Sequence, residues 1–124
     1  MHNQPTKDRI QGAVLGTLVG DALGVGPHWY YDLDALRRDY GEWIDDYTDP
    51  KPGRYHEGLS AGQVSQTGQV TAMLLASVAE QREYDQADFT RRLGELLSTL
   101  DGSPHSGRYT DSAMRHVWKA RVQE

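Results

Sequence analysis

Apolar residues recur at helical spacing along most of the chain, and no stretch keeps the apolar–polar alternation that marks a strand. The pattern predicts an all-α protein with five helices. They run from the cap at 6 to the break at 24, over 33–40, from 67 or 69 to 81, from the start signal at 85 through 100, and over about 111–122. The first helix carries two apolar stripes, which are formed by Ile10, Val14 and Leu18 and by Leu15, Val19 and Leu23. Because two of its faces are apolar, we expect this helix to be buried and central.

Capping and breaking residues set the limits of these helices. Thr6 and Asp32 are expected N-caps, because a short side-chain oxygen there accepts a hydrogen bond from an unpaired backbone N–H group. The helix-start signal Asp85-Gln-Ala-Asp88, the break Gly24-Val25-Gly26-Pro27 and the stop at Gly41 mark other limits. Residues 1–5 are predicted to be a disordered lead-in, and residues 41–62 a loop whose length indicates function or disorder.

A ridge of four glycines distinguishes the first helix. Gly12, Gly16, Gly20 and Gly24 recur every fourth residue and therefore share one face. Each glycine costs a helix about 0.5–1 kcal/mol relative to alanine, so the ridge suggests that another helix or a ligand approaches closely. The end of the ridge contains Gly20-Asp21 and leads into the break at Gly24. The polar and aromatic run His28-Trp29-Tyr30-Tyr31-Asp32 follows this break. Plain helix packing explains the glycines equally well.

Composition and charge exclude several classes of protein. The 124 residues suffice for about one domain, and the net charge of −5 argues against a nucleic-acid binder. Cysteine is absent, which excludes disulfides and thiolate metal sites and fits a cytoplasmic location. Gln11 and Asp21 interrupt the N-terminal apolar run, so no membrane segment is expected.

Two motifs resemble the ADP-ribosylglycohydrolase family. They are Arg9-Ile-x-Gly12-x-x-x-Gly16-x-x-x-Gly20-Asp21-Ala22-Leu23-Gly24 and Gly62-Gln-Val-Ser65-Gln66-Thr67-Gly68-Gln69, which leads into an apolar helix. The run from His28 to Asp32 is similar to a divergent branch that includes the J-crystallins. The resemblance implies an orthogonal helical bundle. Residues 6–124 would form the N-terminal portion of one such domain, which is apparently truncated.

The resemblance also implies a chemistry, namely hydrolysis of a glycosidic bond to ADP-ribose or a related nucleotide sugar. Typical members hold two magnesium or manganese ions, partly through an Asp-Asp pair in the second motif. Here that motif reads Ser65-Gln66-Thr67-Gly68, so the metal site is degenerate. His28 replaces an acidic residue that often follows the first motif, and no second metal motif occurs before Glu124. No cofactor is therefore expected. Magnesium would bind only if carboxylates from elsewhere in the protein replaced the lost pair.

The predicted site draws on both motifs, on the run from His28 to Asp32, and on the segment Gly107-Arg-Tyr109, which resembles a glycine-tyrosine loop near the ligand in the family. Asp21 and His28 are the expected catalytic residues, and no residue is assigned to metal. The expected ligand-binding residues are Gly20, Trp29, Ser65, Gln66, Thr67 and Tyr109. The expected ligand is ADP-ribose, either as a small molecule or linked to a protein. The chain itself is expected to form a homo-oligomer or to associate with a complementing chain.

Other interpretations stay open. The protein is alternatively an inactive ligand-binding or crystallin-like structural relative, or a fragment that needs a partner chain. Locally, Ser65 or Thr67 also fits a helix cap. His28 and Trp29 fit a packed loop, and the acidic loop of Asp45, Asp46 and Asp49 is better explained by solvated charges than by a metal.

Overall fold

The chain is helical, as its apolar pattern predicts. A computed structural model describes residues 4–100 and 111–121, which contain five helices and no strand. The helices are α1 (Gln4–Gly24), α2 (Leu33–Tyr40), α3 (Gln66–Gln81), α4 (Gln86–Ser98) and α5 (Ser112–Arg121). The chain forms two compact units, Met1–Gly68 and Gln69–Glu124, so the boundary falls within α3.

Helix limits follow the capping residues closely, with one correction. Asp32 Oδ1 accepts hydrogen bonds from the N–H groups of Asp34 and Ala35 at 2.9 and 3.2 Å, and α2 ends at Gly41 with φ +88°. Asp85 caps α4 through the N–H group of Asp88 at 3.0 Å. The predicted cap at Thr6 is wrong, because α1 already begins at Gln4, so residues 4 and 5 are helical.

Most of α1 is exposed, which corrects the prediction of a buried central helix. Ile10 is 61% exposed, Leu15 62% and Val19 43%. A methyl group added to any glycine of the ridge would meet no described atom within 4 Å. Only the C-terminal end of the helix is well covered, with Ala22 at 3% exposure. Helical spacing correctly identifies residues that share a face, but it does not decide whether another element covers that face.

In the first unit, aromatic side chains attach the long loop after α2 to the α1–α2 connection. The Tyr40 hydroxyl shares its one proton between the backbone carbonyl oxygens of Gly26 at 2.8 Å and Asp49 at 2.9 Å. The Arg54 guanidinium lies 3.8 Å from the centre of the Tyr30 ring. The Tyr30 hydroxyl donates to Asp39 at 2.5 Å, and burial together with this carboxylate raises the pKa of Tyr30. The loop is therefore ordered by specific contacts.

In the second unit, α4 and α5 supply an apolar core. Leu97 of α4, Leu100 just after this helix and Met114 of α5 form one buried cluster. The partly buried residues packed against them are Val70, Leu93, Leu96 and Trp118. Val117 of α5 lies outside this core and is 44% exposed.

A polar network joins α3 to α4 in the same unit. Ser77 is fully buried, and its hydroxyl donates to Asp88 at 2.7 Å. Arg91 and Arg92 also donate to the Asp88 carboxylate, at 2.7 and 2.6 Å. The Ser77 hydrogen bond and these guanidinium groups lower the pKa of Asp88 to about 2. Arg92 additionally pairs with Glu80 of α3.

Within the described residues, every helix is too short or too polar to cross a membrane.

Candidate ligand site at the contact between Asp21 and Ser65

Asp21 and Ser65 bring together the two motifs singled out in the sequence. Asp21 lies in the last turn of α1, and Ser65 immediately precedes α3. Asp21 Oδ1 accepts a hydrogen bond from the Ser65 hydroxyl, and Oδ2 accepts one from the Ser65 N–H group, each at 2.6 Å. The carboxylate thus lies at the N-terminal end of α3, where the helix dipole favours a negative charge.

Ser65 is the N-cap of α3. Its hydroxyl oxygen accepts a hydrogen bond from the N–H group of Gly68 at 3.3 Å while its proton is directed to Asp21. The capping interpretation of Ser65 is therefore confirmed. It is compatible with a site role, because the cap fixes the Asp21 carboxylate at the start of the helix.

Gly68 is required by this arrangement. A Cβ atom at position 68 would collide with Asp21 Oδ2 and would lie 2.6 Å from Val64 Cβ. A residue larger than glycine at position 68 would therefore force Asp21 away from its present position.

Four rings form a cluster beside this contact. His28 stacks on Tyr55 with ring centres 5.4 Å apart, and it meets His56 edge-on at 4.8 Å. Trp29 lies 3.8 Å from Tyr55, ring centre to ring centre, and remains 54% exposed. The backbone of Trp29 has φ +62°, a left-handed conformation that costs an L-residue about 1–2 kcal/mol.

The electrostatic setting of His28 favours its neutral form. Partial burial of the ring lowers the pKa of His28 below its ordinary value of 6.5, and the Asp21 carboxylate opposes this shift. The sequence had placed Asp21 and His28 in one catalytic pair, and the structure brings them within electrostatic reach. A neutral imidazole near a carboxylate is suited to accept a proton.

The other predicted site residues take different positions. Gly20 precedes Asp21 in α1 and borders open space. Gln66 is buried at 3% exposure in the first turn of α3, whereas the neighbouring Thr67 is exposed. Tyr109 lies outside the described residues.

Sequence reasoning missed Tyr55 and His56. His56 is buried at 4% exposure, and both rings contact His28. They lie in a stretch without helical or strand periodicity, so no pattern indicated which side chains point inward. The only available signal was two adjacent aromatic rings in a long loop, which is typical of functional loops.

The donor set does not fit the divalent-metal pair that the family resemblance implies. Gln66 and Thr67, which occupy the positions of the carboxylate pair, carry no charge, and both oxygens of Asp21 already accept hydrogen bonds from Ser65. Across residues 4–100 and 111–121, no three His, Asp or Glu side chains lie close enough together to hold a metal ion. Hard divalent cations require several oxygen ligands, usually including carboxylates.

Comparison with known proteins identifies the family. No curated protein and no solved structure gives a significant match to the chain. A sequence profile described as ADP-ribosylglycohydrolase matches residues 2–123, which is nearly the whole chain. The match spans both motifs, the Asp21–Ser65 contact and all five helices, and the helical fold is that of the family. This chain therefore belongs to the ADP-ribosylglycohydrolase family.

Proposed function

We propose that this protein binds ADP-ribose or a related nucleotide sugar beside the Asp21–Ser65 contact and hydrolyses its glycosidic bond without a divalent-metal pair. One observation supports the proposal above all. The Asp21 carboxylate joins the two family motifs through Ser65, which is 44 residues away in sequence, and it lies within electrostatic reach of His28. Family membership supplies the substrate class, and the neutral histidine supplies a proton acceptor.

His28 is the general base in this proposal. Its neutral ring accepts a proton from the water molecule that attacks the anomeric carbon of the ribose. The bonding pair of the glycosidic bond leaves with the departing group, which takes a proton from solvent. Asp21 stabilises the positive charge that develops on the imidazole, because an opposite charge nearby favours the protonated form. Trp29, which is half-exposed, offers an apolar surface for the adenine ring.

Binding without hydrolysis is the second candidate, and one observation favours it. Both oxygens of Asp21 accept hydrogen bonds from Ser65, so this carboxylate has a structural role in addition to the negative charge that it gives the site. A relative that had lost catalysis would retain this contact, because it fixes Ser65, which caps α3.

Two measurements separate these functions. Calorimetric titration with ADP-ribose in the presence of EDTA is expected to show binding, and added magnesium is expected to leave the affinity unchanged. Release of ADP-ribose from serine-linked and arginine-linked peptides then tests hydrolysis. His28→Gln is expected to abolish release while the protein still binds ADP-ribose. The matched control is His116→Gln, because His116 is an exposed histidine of α5 that plays no part in the proposed site.

The pH dependence adds a further criterion. Because His28 must be neutral and its pKa lies below 6.5, hydrolysis is expected to be constant near neutral pH and to fall only in more acidic solution. Binding with no release from either peptide would favour the second candidate. Absence of binding, or binding only with magnesium, would contradict the proposal.

A further inference from the structure

An open cleft of about 310 Å³ lies beside α2 in the first unit. Its walls include Leu33, Leu36, Arg37, Glu42, Trp43 and Ile44, none of which belongs to the proposed ADP-ribose site. Gly41, whose φ of +88° is in the left-handed region, follows the last residue of α2. The chain turns there, and the next three residues line the cleft. The cleft is therefore a product of local chain geometry.

Large apolar side chains are exposed at this cleft. Trp43 is 81% exposed and Leu33 is 59% exposed, and the neighbouring Tyr31 is 87% exposed. Tryptophan, tyrosine and arginine are the residue types most enriched among the energetically dominant residues of protein interfaces. An exposed tryptophan beside an apolar cleft is thus typical of a surface that packs against an anchor side chain of a partner.

The rim of the cleft is acidic. Arg37 and Glu42 line the cleft, and Asp34 lies beside it through its contact with Arg37. Arg37 is already shared between two carboxylates, with its Nη1 atom 3.4 Å from Asp34 and its Nε atom 3.5 Å from Glu42. Both of those carboxylates are more than four-fifths exposed, and Asp45 and Asp46 follow directly along the chain. Because these four carboxylates outnumber Arg37 and Arg38, they disfavour a second copy of this surface and favour a positively charged partner.

We propose that this cleft docks a basic segment of another protein. One apolar or aromatic anchor side chain of that segment packs against Trp43 and Leu33, and flanking lysine or arginine side chains lie near Glu42 and the acidic residues that follow. The apolar walls supply affinity through the burial of the anchor. The acidic rim supplies selectivity, because a partner with acidic flanks would be repelled. This docking is independent of the proposed hydrolase function.

Fluorescence polarisation with short labelled peptides tests the proposal on the full chain. The probe carries one tryptophan or leucine between lysines, and the comparison peptides replace either the anchor by serine or the lysines by glutamates. Only the probe with both features is expected to bind, and its affinity is expected to fall as salt is raised. Trp43→Ala is expected to weaken binding by at least about tenfold, as for loss of an interfacial tryptophan.

Two variants separate the components of this interaction. Glu42→Gln is expected to weaken binding of the lysine-flanked probe at low salt and to have little effect at high salt. Tyr84→Ala is the matched control, because Tyr84 is an aromatic residue with 61% exposure that does not line the cleft. Each variant is checked by its thermal melting curve, and Leu33→Ala provides a second apolar truncation if Trp43→Ala does not fold.

Three results would overturn the proposal. They are absence of binding by the lysine-flanked probe, equal binding of lysine-flanked and glutamate-flanked peptides, and self-association of the wild type that Trp43→Ala abolishes. The last result would show that the occupant is a second copy of the chain. Because none of these measurements uses ADP-ribose, failure here would leave the proposed hydrolase function untouched.

Discussion

The side chain of Asp21 holds Ser65 by two hydrogen bonds at once, one from the hydroxyl and one from the backbone N–H group, each at 2.6 Å. This contact links the end of α1 to the start of α3 and places a carboxylate at a helix N-terminus. A charged acceptor that engages two donors makes a stronger contact than one neutral hydrogen bond.

A double-mutant cycle measures this contact. Asp21→Asn and Ser65→Ala are each expected to lower the free energy of unfolding by about 1–3 kcal/mol, because each leaves a polar group without its partner. The double variant is expected to lose less than the sum of the two, as for residues in direct contact. Urea denaturation measures all three. Asp45→Asn is the control, an exposed carboxylate whose change is expected to stay within about 0.5 kcal/mol. Strict additivity of the two substitutions would contradict the contact.

Gly68→Ala tests the close approach of Asp21 to α3. The new methyl group would collide with Asp21 Oδ2, so we expect a loss of about 1–3 kcal/mol, as for overpacking. Gly94→Ala is the matched substitution in α4, where a Cβ atom meets nothing within 4 Å. It is expected to stabilise the protein by about 0.5–1 kcal/mol through helix propensity. Thermal or urea unfolding distinguishes the two, and equal effects would refute the collision.

Gly12→Ala and Gly16→Ala test the open glycine ridge of α1. Each is expected to stabilise the protein by about 0.5–1 kcal/mol, because neither new methyl group meets a described atom within 4 Å. Circular dichroism during urea unfolding gives the change in free energy. If either variant were instead destabilised by a comparable amount, another surface would have to pack against the ridge in the folded protein.

Asp88 is expected to make the protein sensitive to acid. Its pKa in the folded state is about 2, below the ordinary value of 3.8, so its contribution to stability is complete above pH 3.8 and is lost as the pH falls through 2. Urea unfolding across this range should show the loss in the wild type. In Asp88→Asn the protein is less stable at neutral pH, and this part of the acid dependence is absent. An unchanged pH profile in the variant would contradict the assignment.

Arg82→Gly is expected to raise stability. Arg82 directly follows α3 with φ +63°, a left-handed conformation that glycine adopts with less strain at the end of a helix. The expected gain is about 1 kcal/mol, and a shift in melting temperature is the simplest measurement. Arg82→Ala is the control, because it removes the same side chain but keeps the strain. A gain in both variants would assign the effect to the side chain instead.

The sequence by itself determined the helices and the family. Asp32, Gly41 and Asp85 predicted helix limits that the structure confirms, because caps act on backbone groups within a few residues of themselves. The glycine motif that ends in Gly20-Asp21-Ala22-Leu23-Gly24 and the motif around Ser65 likewise predicted the family, because each motif consists of residues close together in sequence. The roles of His28 and Trp29 in a ligand site stay predictions.

Only the tertiary structure decided which of these local features meet. The contact between Asp21 and Ser65 and the ring contacts of Tyr55 and His56 with His28 join residues that are far apart along the chain. No periodic pattern marks such pairs, and the loop that carries Tyr55 has no regular spacing from which to infer its direction. The sequence pattern could not determine how exposed α1 is, for a related reason. A stripe of apolar residues records which side chains share a face, whereas burial depends on whether a distant part of the chain covers that face.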